Sequence, residues 1–157
     1  MELRYNKVNS RFIKSSEKKR LLSELEEQFG IEKLPYLLLE TGKEKIRGFS
    51  GTMTKEEITE LGKISNVEIV GLYLIKKEKN LRLSLDATHL LKEQISKNII
   101  EINNVQLGDW LRGKNLDIAK DSGIYVIKYE DDFVGCGISD GKKIINHIPK
   151  ERRIRSN

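Results

Sequence analysis

The chain has 157 residues, of which 38% are hydrophobic and 34% are charged. This length fits one domain or two small ones, and apolar residues recur in periodic blocks, which excludes a disordered chain. The single cysteine, Cys136, excludes an internal disulfide, and no apolar run approaches the roughly 18 residues of a membrane span.

The net charge is concentrated at the end of the chain. Residues 142–157 contain six Lys or Arg and one acid, which gives this segment a net charge of +5. The whole chain also has a net charge of +5, so residues 1–141 sum to zero. A neutral body with one basic end is typical of a protein that binds a polyanion. The alternative is a tail that only increases solubility.

The first half of the chain predicts alternating strands and helices. A short strand at 11–14 precedes a helix that begins at Ser15 or Ser16 as its N-cap and ends at Gly30. A further strand is predicted at 34–39.

A glycine-punctuated loop is predicted at 41–51, with a short strand inside it as an alternative. Thr54 and Glu57 then have the spacing of a capping box, which predicts a second helix through about residue 65. The mostly apolar run 67–75 predicts a central strand.

A polar break at 76–80 predicts a boundary between two domains, 1–76 and 77–157. Beyond it, residues 81–85 alternate as a half-buried strand does, and a short helix follows with Asp86 as its N-cap. Another strand is predicted at 98–102. Asn103 and Gln106 have capping-box spacing and predict a helix that ends at Gly113, with Trp110 in the core.

The end of the chain predicts a three-stranded meander with strands at 124–128, 133–139 and 143–148. Asp140-Gly141 is typical of a two-residue hairpin turn, and Pro149 ends the last strand. Together these elements predict an α+β fold, in which a small α/β domain precedes a mixed-sheet barrel with few exposed edges.

Enzyme signatures are missing from the sequence. It contains no phosphate-binding glycine motif of the Walker or dinucleotide type and no nucleophile-elbow spacing. His89 and His147 are the two histidines, and with Cys136 they make an improbable zinc site. We expect Cys136 to be a small buried side chain. The sequence therefore favours a binding module without metal or cofactor over an enzyme.

The second half of the chain resembles the PUA domain, a small pseudobarrel that binds structured RNA. The resemblance rests on five segments, namely 83–91, 94–102, 123–129, 133–137 and 140–143. The chain looks most similar to two-domain PUA proteins of the archaeal and eukaryotic ribosome-biogenesis type, and also to the PUA-like appendage of RNA 5-methylcytosine methyltransferases. A "pre-PUA" domain would then occupy residues 1–76.

The resemblance implies an RNA surface made by the first helix of the PUA domain, the strand after it and the final strand. On this sequence, those elements provide Thr88, His89, Lys97, Asn98, Lys143, Arg152, Arg153 and Arg155. Charge adds Lys142 and Lys150 to the same basic end. One departure from the family is that the first helix opens with 84–88 instead of a glycine-rich loop. Asp86 therefore places a negative charge where RNA would approach.

The leading hypothesis is a non-catalytic protein that binds structured rRNA or tRNA and acts in RNA modification or ribosome biogenesis. One alternative is an accessory subunit that docks a modification enzyme through residues 1–76. Another is an RNA-modifying enzyme with an unrecognised site in the first domain. Because residues 1–7 lack the apolar segment of a signal peptide, we expect a cytoplasmic protein without a membrane partner.

Overall fold

A computed structural model of the chain describes residues 10–42, 44–64 and 71–155. In chain order, the elements are β1 Ser10–Phe12, α1 Ser15–Phe29, β2 Leu37–Thr41, β3 Lys45–Phe49, α2 Lys55–Ile64, β4 Leu72–Lys77, β5 Leu81–Leu83, α3 Leu85–Leu90, β6 Ile99–Glu101, α4 Asn104–Leu111, β7 Gly123–Tyr129, β8 Asp132–Ser139, β9 Ile144–Asn146 and a 3₁₀ helix Lys150–Arg152. The predicted α+β class is confirmed. None of the described helices is long and apolar enough to cross a membrane.

The strands form two sheets. The first is antiparallel throughout and has the order β1-β2-β3-β4-β5. The second has the order β6-β7-β8-β9, in which β6 is parallel to β7 and the other pairs are antiparallel. The second sheet is therefore mixed, as predicted.

Helix α1 packs one face into the core of the molecule. Leu21, Leu25 and Phe29 recur every fourth residue and are buried, because that spacing places them on one stripe of the helix. The predicted end at Gly30 is confirmed by its left-handed backbone, with φ of 83°. The predicted serine cap is wrong. The N-cap is Lys14, which makes no side-chain capping bond, so the helix already begins at Ser15.

The segment 41–51, predicted as a loop with a short strand as an alternative, contains a strand, β3, which is the central strand of the first sheet. Its glycine marks close packing and not a turn, since a Cβ on Gly48 would lie 2.6 Å from Leu74 Cδ1. The predicted strand 67–75 lies partly outside the described residues, and β4 overlaps its described part from Leu72 and continues to Lys77. Helix α2 begins as predicted, with Glu57 N donating to Thr54 Oγ1 at 3.1 Å.

Two predicted helix starts in the second half have different outcomes. The predicted N-cap Asp86 is wrong, because Ser84 Oγ accepts the hydrogen bond from Ala87 N at 3.0 Å and α3 begins two residues earlier. The capping box of α4 is confirmed in both directions, with Gln106 N donating to Asn103 Oδ1 and Asn103 N donating to Gln106 Oε1, each at 2.9 Å.

The three-stranded meander is confirmed, but the turn between β8 and β9 is longer than predicted. Ser139 pairs with Ile144, so four residues form the turn and not two. The Asp140 carboxylate organises it by accepting from the backbone N–H groups of Lys142 and Lys143 at 2.9 Å each. These bonds, Lys143 first, lower the pKa of Asp140. A side chain that binds its own turn favours this wider geometry.

The hydrophobic core extends across the predicted domain boundary. The boundary between residues 76 and 77 falls inside β4, and the first sheet continues past it into β5. One buried cluster joins Leu25 and Phe29 of α1 to Val126 of β7 and Cys136 of β8. A second cluster packs α4 against the second sheet around Trp110, which is fully buried as predicted. The division into 1–76 and 77–157 stays a prediction.

Candidate nucleic-acid interface

Helix α3 and the basic end of the chain meet at one ion pair. The Arg152 guanidinium donates to both carboxylate oxygens of Asp86, with Nη1 at 3.2 and 3.3 Å and Nη2 at 3.2 Å. Asp86 lies in the first turn of α3, and Arg152 ends the 3₁₀ helix. The negative charge that departs from the family pattern thus has a partner within the chain.

Two of the predicted contact residues lie on α3 but differ in exposure. His89 is exposed and is one turn along the helix from Asp86, so both side chains lie on the same face. Thr88 is fully buried. Its Oγ1 donates to Leu85 O at 2.7 Å and accepts from Gly135 N at 3.2 Å, so it fastens α3 to β8 and offers no side-chain surface to RNA.

Lys97 and Asn98 are exposed, but their side chains bind the end of α1. Lys97 Nζ donates to Glu26 O at 3.2 Å, and Asn98 Nδ2 donates to Gln28 O at 2.5 Å. The last carbonyls of a helix have no partner within the helix, and a cation there also complements the helix dipole. These two residues therefore cap a helix of the first half from the entry to β6.

Lys142 and Lys143 are exposed in the β8–β9 turn, apart from α3. Helix α3 binds β8 at Gly135, and the turn begins four residues later, after Ser139. At strand rise this separation is roughly 13 Å. The basic residues at the end of the chain therefore form two groups.

The second group is the segment from Lys150 to Arg155. Lys150 and Arg155 are exposed, and neither side chain has a partner among the described residues. Arg153 is tied down instead, with Nε donating to Ile148 O at 2.9 Å, and Ile154 N donates to Leu111 O at 2.8 Å. These bonds hold the segment against α4, so its free cations are presented from a fixed backbone.

Sequence reasoning missed a small pocket beside the Asp86–Arg152 pair. Its wall includes Tyr73 of β4, Arg82 of β5 and His147, which follows β9. Tyr73 and Arg82 come from two strands that pair with each other, whereas His147 follows β9, which pairs with β8, the strand that α3 packs against. The one local signal is the alternation of 81–83, which places Arg82 on the opposite face from two buried leucines.

Burial shifts the titration of two groups on this wall. It raises the pKa of the Tyr73 hydroxyl, and it lowers the pKa of His147, to which the charge of Arg82 adds. Cys136 also borders the pocket, and burial raises the pKa of its thiol to about 12. A thiol in that state is a poor nucleophile at neutral pH.

The described residues hold no group of three or more His, Cys, Asp or Glu side chains that could bind a metal ion. The arrangement supplies positively charged side chains, namely those of Lys150, Arg152 and Arg155, which lie on one short segment beside α3. Such side chains bind phosphate oxygens, Arg through a planar fork and Lys as a point charge.

Comparisons with known proteins agree with this geometry. The family model described as the PUA domain of methyltransferase RsmF matches residues 97–154. The fold is similar to that of a conserved PUA domain protein from Thermoplasma acidophilum, with a TM-score of 0.61 at 16% identity over 89% of this chain and 93% of the other. A PUA domain from Aeropyrum pernix K1, solved with tartrate, aligns with a TM-score of 0.46 at 12% identity over 90% of this chain and 85% of the other. A search of curated protein sequences finds no match. Residues 97–154 thus match a PUA-domain family model, and the fold is similar to that of a PUA domain protein, in agreement with the resemblance seen in the sequence.

Proposed function

We propose that this chain is a non-catalytic protein that binds structured rRNA or tRNA through its PUA domain, in RNA modification or ribosome biogenesis. PUA domains generally bind RNA. The observation that carries the proposal is the Asp86–Arg152 ion pair, because it fixes the basic segment Lys150–Arg155 beside the exposed face of α3. The basic segment at the end of the chain therefore lies beside α3, which is one of the RNA surfaces that the family resemblance implies.

The physical basis of binding is phosphate neutralisation. Lys and Arg side chains that contact phosphates supply affinity and register but read little sequence. Selectivity would then come from the shape of the RNA or from unpaired bases. The proposal therefore expects tight binding to folded RNA, weak dependence on sequence within helices, and strong dependence on salt.

A mobility-shift titration of the whole chain against structured RNA tests this proposal. If about five phosphates are neutralised, log K should fall against log salt with a slope of roughly −3.5 to −4.5. Truncation after Pro149 should weaken binding strongly. Since that truncation also removes the contacts of Arg153 and Ile154, the full-length variant Lys150→Gln/Arg155→Gln accompanies it.

In that double variant the slope of log K against log salt should become less negative by about 1.4 to 1.8, because two phosphate contacts are lost. Lys19→Gln/Arg20→Gln is the matched control, because both residues are exposed on α1 and neither has a described partner. Absence of binding by the wild-type chain at low salt would remove the proposal, and so would an unchanged slope in both C-terminal variants.

The same function allows a second role, as an accessory subunit that brings RNA to a separate modification enzyme. The observation that favours it is the family match, because the matched model describes the PUA domain of a methyltransferase. Residues 1–76 would dock the enzyme. A pull-down from the native cell should recover an RNA-modification enzyme, and a variant with substitutions on the exposed face of α1 should lose it.

The proposal that the chain itself does no chemistry has its own test. RNA is incubated with the purified chain and common methyl donors, and its nucleosides are analysed by mass spectrometry. We expect no modified nucleoside. Any turnover would favour the alternative in which an RNA-modifying site lies in the first half of the chain.

A further inference from the structure

A pocket lies where the first sheet, α3 and the segment after β9 meet. Its cavity measures about 60 Å³, several times the space that one water molecule needs, and it opens to solvent. The polar side chains of its lining are those of Tyr73, Arg82, Ser84, Asp86, His147 and Arg152.

The lining has hydrogen-bond donors without acceptors. Arg82 Nε is buried and has no hydrogen-bond partner. The imidazole of His147 and the hydroxyl of Tyr73 likewise bind no atom of the described residues. Of these groups, Arg82 Nε is the one removed from water, and a buried donor ordinarily has an acceptor, so this wall is suited to a ligand with acceptor oxygens.

The acceptors on the wall are already used. Asp86 binds Arg152 in the bidentate pair, and Ser84 Oγ accepts from Ala87 N and donates to Tyr73 O at 2.7 Å. Arg82 has a partner at one end, where its Nη2 lies 3.3 Å from Glu78 Oε1. The wall thus has two guanidinium groups and an imidazole facing one carboxylate that is already neutralised.

We propose that this pocket binds one phosphate group of the RNA, and that Arg152 exchanges Asp86 for that phosphate on binding. The proposal rests on the RNA-binding function above and names the ligand group and the site. Arg82 and His147 donate to the phosphate oxygens from the inner wall. The Asp86 carboxylate competes with the phosphate for Arg152. It binds Arg152 in the free protein, and the negatively charged phosphate takes its place when RNA binds.

The geometry makes His147 a reporter of occupancy. Burial lowers its pKa, Arg82 adds to the effect and Glu78 opposes it. Asp86, Arg152, Tyr73 and Cys136 are the other charged or titratable groups around the same pocket. A bound phosphate beside His147 favours the protonated imidazole, so occupancy should raise its pKa.

Nuclear magnetic resonance of the imidazole groups tests the pocket directly. The chain has two histidines, and His89 lies on α3 one turn from Asp86, so the signal of His147 is the one that reports the pocket. The probe is inorganic phosphate, titrated into the full chain over about pH 5 to 8 at constant ionic strength. Saturable shifts of His147 with a rise in its pKa, which need more phosphate in the Arg152→Gln chain, would support the pocket. Silence of His147 would overturn it, and so would the same titration curve in the Arg152→Gln chain.

Charge variants distinguish the exchange of Asp86 for phosphate at Arg152 from a simple attraction between positive side chains and phosphate. Arg152→Gln should weaken phosphate binding at least about fivefold, and Asp86→Asn should strengthen it about two- to fivefold, the range of one exposed ion pair. Lys19→Gln is the control, because it removes the same charge from an exposed position of α1 that is not part of the pocket lining. An Arg152→Gln chain that binds phosphate like the wild type, or an Asp86→Asn chain that binds it more weakly, would overturn the exchange.

An RNA arm assigns the source of the phosphate. The same structured RNA is compared with a 5′-phosphate and with a 5′-hydroxyl. If the protein prefers the RNA with the 5′-phosphate and Arg152→Gln removes this preference, the pocket binds a terminal phosphate. If the two RNAs bind equally well and Arg152→Gln weakens both to the same extent, the pocket binds an internal phosphate. If Arg152→Gln leaves RNA binding unchanged, the pocket proposal is overturned. RNA binding with a silent His147 removes only the pocket, whereas phosphate binding without RNA binding removes only the proposed function.

Discussion

Gln28 and Leu81 exchange two hydrogen bonds across the predicted domain boundary. Gln28 Nε2 donates to Leu81 O at 2.7 Å, and Leu81 N donates to Gln28 Oε1 at 3.0 Å. Leu81 begins β5, the last strand in the described part of the first sheet. The amide of one helix side chain thus takes the place of a neighbouring strand and satisfies a backbone edge that would otherwise be open.

Replacing Gln28 by alanine should therefore destabilise the protein. The buried N–H and C=O of Leu81 both lose their partner, which costs about 1–3 kcal/mol. Urea unfolding measures the change. Glu27→Ala is the matched control, because Glu27 is exposed at the preceding position of α1 and has no described partner. Equal stability of the two variants would show that water satisfies the edge of β5 as well as Gln28 does.

Local patterns were sufficient where one short segment determines its own structure. The capping box of Asn103 and Gln106 and the left-handed end at Gly30 are of this kind. The central position of β3 was not visible, because Gly48 reads as a turn residue until Leu74 is known to pack against it. Pairing between distant strands decides such cases, and a single sequence does not encode it in any short window.

The candidate site follows the same rule. The basic end of the chain could be predicted from the sequence, because charged residues can be counted along it. Thr88 was predicted to contact RNA only because the family resemblance implies it. Its burial depends on its contact with Gly135 on a distant strand. The pocket has both Tyr73 and His147 in its lining, which follows from the packing of the two halves and from no motif. The contacts of the exposed basic residues with RNA stay predictions.

Cys136 should make stability fall at alkaline pH. Burial raises the pKa of its thiol from 9.0 to about 12, so the folded state holds the proton that the unfolded state releases. The stabilisation is complete below about pH 9 and is lost as pH rises from 9 towards 12. By pH 10 the loss is on the order of 1 kcal/mol.

The measurement is urea unfolding at pH 7.5 and pH 10 for the wild type and for Cys136→Ala. Other groups titrate in this range, so the prediction concerns the difference between the two proteins, in which their effects cancel. Cys136→Ala should lose less stability between the two pH values. An identical pH dependence in both proteins would contradict the raised pKa of the thiol.

Asn146 should be among the most sensitive polar positions of the second sheet. Its Nδ2 donates to Trp110 O at 2.7 Å and Lys114 O at 3.0 Å, and its Oδ1 accepts from Ile148 N at 2.8 Å. Asn146→Ala leaves these buried groups unpaired and should cost about 2–4 kcal/mol. Asn115→Ala removes one bond, to Asn146 N, and should cost about 0.5–1.5 kcal/mol. Thermal or urea unfolding that ranks the two variants the other way would refute this account.

Gly113 should be needed to hold the basic segment in place. Its φ is +89°, and a Cβ there would lie 2.5 Å from Cδ and Nε of Arg153, whose Nε binds Ile148 O. Gly113→Ala should therefore combine backbone strain of about 1–2 kcal/mol with displacement of that side chain. Gly42→Ala is the control, because its φ is +62° with open space around it, so it has strain without a clash. Trypsin should cleave near Arg155 faster in Gly113→Ala than in the control, and equal cleavage rates would mean that Arg153 does not fasten the segment.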